Sequence, residues 1–252
     1  MSTIMSSLDD SLQARIAAVR ARIAAAAHGA GRDPASIRLV AVSKSAGAEA
    51  VRAALASGQA AFGESYLQEA VAKIAAVRAL AAEGGDATDG GLGVPAAPEW
   101  HFIGPIQSNK TRAIAEAFSW VQSLDRLAIA ERLSAQRPLE QPPLHVLLQV
   151  NISGEATKGG VAPDALAPLA TAVAALHRLR LRGLMAIPTP QSVAPVGAQF
   201  GRMRELFDDL IRRGFALDTL SLGMSSDLEA AVAAGSTMVR VGTAIFGPRS
   251  AP

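Results

Sequence analysis

Apolar and polar positions along this chain switch repeatedly between a two-residue and a three-to-four-residue period. Short apolar or β-branched runs predict strands at 37–43 (IRLVAVS), 60–63 (AAFG), 99–104 (EWHFIG), 119–123 (SWVQS), 144–151 (LHVLLQVN), 180–187 (RLRGLMAI), 218–222 (DTLSL) and 237–241 (TMVRV). Amphipathic spacing between them predicts helices near 47–57, 66–82, 108–117, 125–136, 163–177, 196–213 and 226–234, and another helix, about 8–28, leads into the first strand. Eight strands, seven intervening helices and one leading helix predict an α/β fold, a closed (β/α)8 TIM barrel with an extra N-terminal helix. Only GTAIFGPRSAP follows the last strand, so the leading helix is expected to cover the barrel where an eighth would sit. An open doubly wound sheet shares the alternation, but no G-x-G-x-x-G follows the first strand. Residues 83–98 (EGGDATDGGLGVPAAP) lack periodicity and are expected to form a flexible surface loop. The alternation resumes directly after them, so residues 1–252 read as one domain.

Composition narrows the function classes. No apolar run reaches the roughly 18 residues needed to cross a bilayer, and the N-terminus mixes charges of both signs instead of forming a secretory signal. There is no cysteine, hence no disulfide, thiolate metal site or thiol nucleophile; a cytoplasmic location is expected. A net charge of +2, without a basic tail, argues against nucleic acid as a partner. Of 24 basic residues only four are lysine: Lys44, Lys73, Lys110 and Lys158. A guanidinium cannot become an amine nucleophile, so each lysine is a better candidate than usual for a specific role.

A parallel barrel carries its chemistry on the loops after the strands. Lys44 follows strand 1, Glu64-Ser65-Tyr66 strand 2, Lys110 the strand 3 loop, and Lys158 the strand 5 loop. Three of the four lysines therefore fall on one rim. Lys44 ends an apolar strand, so its stem should enter the barrel mouth, where a neutral amine could attack an aldehyde to form an imine. The plainer alternative is an ordinary lysine paired with a rim carboxylate such as Glu64. After strands 7 and 8, Ser225-Ser226 and Gly242-Thr243 offer hydroxyls and open backbone for a phosphate; a serine there could equally cap the next helix. Arg240 sits inside an apolar strand, where a charge is costly unless paired, and is expected to point inward to a ring nitrogen or a phosphate. The four histidines show no metal-ligand spacing, His101 reads as structural, and no metal site is expected.

These residues lie in blocks that closely resemble the pyridoxal phosphate homeostasis proteins, which are similar to the N-terminal domain of alanine racemase. The blocks are LVAVSK (39–44), FGESYLQEA (62–70), WHFIGPIQSNKTR (100–112), LLQVNISGEATKGG (147–160), RGLMAIP (182–188) and SLGMSSDLEAAVAAGSTMVRVGTAIFG (221–247). The resemblance implies a fold-type III barrel holding pyridoxal 5′-phosphate (PLP), the vitamin B6 cofactor, as an internal aldimine on Lys44. It implies that Arg240 faces the pyridine nitrogen, that Ser225, Gly242 and Thr243 contact the phosphate, and that Ser65 lies beside the ring. Three departures accompany it. Ser65 stands where relatives usually carry asparagine, Ser45-Ala46-Gly47 replaces a threonine, a basic residue and proline, and Ser226 replaces an aspartate. The implied function is intracellular PLP homeostasis and supply, with apo-enzymes as recipients and little or no catalysis. The main rival is an amino-acid racemase; it needs a second base, commonly a tyrosine from another domain, and Tyr66 is the only tyrosine. A Schiff-base aldolase on the same rim would be colourless. With no second domain after the barrel, a monomer without membrane contact is expected.

Overall fold

A computed structural model describes residues 2–83, 97–155, 157–189 and 194–248. The strands are β1 (Arg38–Val42), β2 (Ala61–Glu64), β3 (Glu99–Phe102), β4 (Trp120–Leu124), β5 (Leu144–Gln149), β6 (Leu179–Met185), β7 (Thr219–Ser221) and β8 (Met238–Val241). Every neighbouring pair is parallel, and β8 returns to β1 to close the barrel in the order β1 to β8. Each strand matches its expected position within two residues. The loop expected at 83–98 falls largely outside the described residues.

The helices are α1 (Ser2–Gly29), α2 (Ala48–Ala56), α3 (Leu67–Glu83), α4 (Thr111–Ala117), α5 (Leu127–Gln136), α6 (Leu166–Ala174), α7 (Val196–Arg212), α8 (Leu228–Ala233) and the short α9 (Thr243–Phe246). Helix α1 packs against α2 and α8 and so fills the gap left by a full eighth helix, as the sequence pattern led us to expect. Two predicted helices begin instead as single 3-10 turns, at Ser108–Lys110 and Pro163–Ala165. Pro163 opens the second of these because its fixed φ suits a first turn and its missing N–H costs nothing there.

Alternation along the strands separates two apolar regions. Leu39, Ala41, Phe62, Trp100, Phe102, Val121, Val239 and Val241 belong to the layer between strands and helices. Val40, Ala61, Trp120, Leu147, Met185 and Met238 form a separate cluster inside the barrel. A Cβ added to Gly63 would lie 3.2 Å from Val40 and 3.4 Å from Val42, so these three also share the interior. The interior is thus packed with side chains, and any ligand must sit at its mouth.

Candidate functional site

Val40 is in register with Arg240 across the closing seam of the barrel. Val40 and Val42 face inward while Ala41 and Ser43 face outward, and continuing that alternation brings Lys44 to the inner side of the mouth. Lys44 is half-buried and its ammonium has no hydrogen bond or ion pair among the described residues. The rim carboxylate that could have paired with it is engaged elsewhere. Glu64 points outward and accepts hydrogen bonds from Ser43 Oγ (2.6 Å) and Lys73 Nζ (2.7 Å).

Arg240 does turn inward, and it is almost fully buried. Nη1 donates to Ser221 O (2.9 Å) and Ser221 Oγ (2.6 Å), and Nη2 donates to Ala186 O (2.9 Å). Two of its five N–H groups have no acceptor among the described residues. Burial lowers its pKa to about 10, so it remains a cation at neutral pH. A buried guanidinium with unused donors inside the barrel and an unpaired amine at its mouth fit an acceptor-rich ligand such as a pyridine ring with an aldehyde and a phosphate.

The ends of β7 and β8 add polar backbone. The amides of Ser225, Ser226, Gly242 and Thr243 make no hydrogen bond among the described residues. Neither serine caps α8; Asp227 takes that position, and its Oδ1 accepts instead from Met224 N at 2.6 Å. Ser65 is half-buried and follows β2 directly. A Cβ on Gly104 would fall 2.1 Å from the Ser65 carbonyl oxygen, so the strand 3 loop holds the Ser65 backbone only because residue 104 is glycine.

The remaining candidates are spread around the rim. Lys158 lines a mouth cleft of about 220 Å³ with Gln149, Asn151 and Ile187, and it faces Glu155 at 3.8 Å. Lys110 ends the 3-10 turn before α4. A larger cleft of about 410 Å³ lies under α1, lined by Arg20, Pro34 and Gln59, away from this chemistry. Tyr66 is 57% exposed and offers no second base buried in the mouth. Among the described residues no three His, Asp or Glu side chains are grouped to hold a metal ion.

Residues 14–250 match the profile of the alanine racemase N-terminal domain. The pyridoxal phosphate homeostasis protein of Pseudomonas aeruginosa is 57% identical over 93% of this chain and 94% of its own length. That of Escherichia coli is 52% identical over 93% and 95%. The chain belongs to the pyridoxal phosphate homeostasis protein family. Among solved structures, PipY of Synechococcus elongatus with PLP bound superposes with a TM-score of 0.73 at 34% identity, covering 94% of this chain and all of that one. An unassigned protein of Bifidobacterium adolescentis reaches 0.84 at 32% identity, over 95% and 96%. Alanine racemase of Corynebacterium glutamicum, at 16% identity and a TM-score of 0.61, shares the barrel of the homeostasis family.

Sequence reasoning missed two features. Lys73, the one lysine that the sequence did not place on the rim, is buried against Glu64. Glu99, His101, Gln122 and Ser221 place polar groups on the inner faces of β3, β4 and β7, and the signal for them was a polar residue at every second strand position.

Proposed function

We propose that this protein binds PLP at the barrel mouth and keeps it for intracellular supply. Lys44 Nζ condenses with the cofactor aldehyde, releasing one water and leaving an imine link. The cofactor supplies a reactive aldehyde and an electron-withdrawing ring; the chain's own residues anchor and orient it. Arg240 turns its spare N–H groups toward the pyridine nitrogen, and Ser225, Gly242 and Thr243 donate to the phosphate. Ser65 lies beside the ring. The observation that carries this reading is a partnerless, half-buried Lys44 at the barrel mouth together with a buried, inward Arg240 that keeps unused donors. The 34% identical PipY with PLP bound supports it.

The same geometry favours storage over catalysis. A protonated guanidinium can donate to the ring nitrogen but cannot take its proton, so the ring stays unprotonated and is a weaker electron sink. Tyr66 is too exposed to serve as a racemase's second base. Among the described residues no helix is long and apolar enough to cross a membrane. Apo-enzymes that use PLP are the recipients this reading calls for.

The test is visible absorbance after adding PLP, with Lys44→Ala beside the wild type, followed by borohydride reduction and peptide mapping. A yellow wild type labelled on Lys44, with no imine band in the variant, supports the reading. A colourless, unlabelled wild type overturns it and favours a phosphate-substrate aldolase.

A further inference from the structure

Among the described residues Arg240 has no carboxylate in hydrogen-bond contact, although it is buried in the barrel core. The charge of Asp227, ahead of α8, acts on it from beyond contact, and a hydrogen-bonded path leads from it across the barrel to a second carboxylate, Glu99. Ser221 Oγ, which accepts from Arg240 Nη1, donates onward to Gln122 Oε1 at 2.7 Å. Gln122 Nε2 then lies 2.9 Å from His101 Nδ1 and 3.3 Å from Met238 Sδ. His101 Nε2 lies 2.7 Å from Glu99 Oε1, and Arg38 Nη2 reaches the same oxygen at 2.9 Å. Ser221, Gln122 and His101 are all completely buried, and only the Glu99 end of the path reaches partly into solvent.

The direction of every link follows from chemistry. Arg240 can only donate, so the Ser221 hydroxyl accepts from it and sends its own proton to Gln122 Oε1. The Gln122 amide N–H₂ then faces the methionine sulfur and His101 Nδ1, two acceptors; the flipped amide would set a carbonyl oxygen against the sulfur. With Nδ1 accepting, the His101 proton is on Nε2, where the Glu99 carboxylate accepts it. The chain is one-way, from cation to anion, through three neutral groups in a low-dielectric core where such links reinforce one another.

We propose that Ser221, Gln122, His101 and Glu99 form a positioning relay that fixes the Arg240 guanidinium toward the PLP ring nitrogen by delivering the Glu99 charge through the barrel. The proposal rests on the PLP reading for its far end; the relay itself belongs to the apoprotein. None of the four touches the ligand, and their role is to hold Arg240 in one rotamer with its unused donors aimed at the mouth.

Two measurements test it. The first uses apoprotein: ¹⁵N-NMR of His101 is expected to show the neutral Nε2–H tautomer at pH 7, changing in Gln122→Met, which removes the donor to Nδ1. A Nδ1–H tautomer or an imidazolium in the wild type overturns the relay whether or not PLP binds. The second compares PLP-loaded wild type, Glu99→Gln, Gln122→Met and Arg240→Gln. Glu99→Gln keeps the shape and the acceptor but removes the charge. It is expected to weaken PLP binding about tenfold, the scale of one charge-assisted hydrogen bond, and to shift the imine band in the same direction as Arg240→Gln. If Arg240→Gln shifts band and affinity while Glu99→Gln and Gln122→Met match the wild type, the relay is wrong and the PLP reading stands. If Arg240→Gln changes neither, while Lys44 still forms the imine, the assignment of Arg240 to the ring nitrogen fails and takes the relay's purpose with it. Thermal melting of each apoprotein reports loss of fold, and Glu99→Gln carries the test if Gln122→Met does not fold.

Discussion

Lys73 Nζ lies 2.7 Å from Glu64 Oε1 between β2 and α3, and it also donates to the carbonyl of Ser43, the residue before Lys44. Both side chains of this ion pair are almost fully withdrawn from water. Burial pushes the Glu64 carboxyl upward, and the Lys73 and Ser43 hydrogen bonds oppose that. Removing one partner leaves the other uncompensated, which costs about 3–5 kcal/mol at buried sites. Lys73→Met is therefore expected to lower unfolding free energy by about 3 kcal/mol at pH 7. Lys73→Met with Glu64→Leu should recover much of it. Urea denaturation of the two variants checks this, and a double variant no more stable than the single one would show that the buried charge is not the cause.

The same wall of the site depends on Gly104. An alanine there would put its Cβ 2.1 Å from the Ser65 carbonyl oxygen, a backbone atom that can move only if the strand 2 loop moves. Gly104→Ala is expected to cost about 2–3 kcal/mol through overpacking, and to weaken PLP binding because Ser65 is displaced. Calorimetry and a PLP titration would read both effects. Unchanged affinity in a destabilised variant would mean that Ser65 does not contact the ring.

Strand positions, the barrel order and the covering role of α1 were legible in the sequence, because each rests on periodicity and on the rule that parallel strands need crossovers. Lys44 and Arg240 were legible as candidates because an isolated lysine ends one apolar strand and an arginine interrupts another. Pairings across the barrel were not. Nothing local tells Glu64 to choose Lys73, nine residues on, over Lys44; that choice follows from Glu64 facing the helix layer while Lys44 faces the mouth. His101 was read as structural from its place in a strand. Its bond to Gln122 depends on β3 and β4 register, which depends in turn on the closed barrel.

His145 gives the fold a predictable acid sensitivity. Its ring stacks on Trp120 at 4.6 Å between centroids, and Arg182 Nη1 approaches Nδ1 at 3.2 Å. Burial, then the charge of Arg182, lowers its pKa to about 4, with Glu99 and Asp218 opposing and Arg180 adding to the effect. A histidine depressed in the native state is protonated first in the unfolded chain. Stability is therefore lost as pH falls from about 6.5 to about 4, by roughly 2–3 kcal/mol for this group. His101 is shifted the same way by burial and adds to the loss. Burial raises the Glu99 carboxyl, but the hydrogen bond from His101 and the charge of Arg38 at 2.9 Å oppose it, and it is held at about 2. Its contribution is lost only lower, between about 4.5 and 2. His145→Asn should flatten the upper window by about 2 kcal/mol and leave the lower one in place. Equal losses in variant and wild type between pH 6.5 and 4 would rule out His145 as the source.

Arg240→Lys separates charge from geometry at the site. The ammonium keeps the cation but cannot span Ser221 O, Ser221 Oγ and Ala186 O together, because a guanidinium presents its donors in a rigid planar fork and an ammonium is a compact point charge. At least one of those buried carbonyls loses its donor, which costs about 1–3 kcal/mol. If charge near the ring nitrogen were all that mattered, PLP would bind the lysine variant almost as well as the wild type. If directed donors matter, affinity falls at least as far as in Arg240→Gln and the imine band moves with it. We expect the second result, since the two unused N–H groups of Arg240 are aimed only while the other three are held. Equilibrium titration of both variants with PLP, alongside their unfolding free energies, distinguishes the two, and wild-type affinity in Arg240→Lys would discard the directed-donor account.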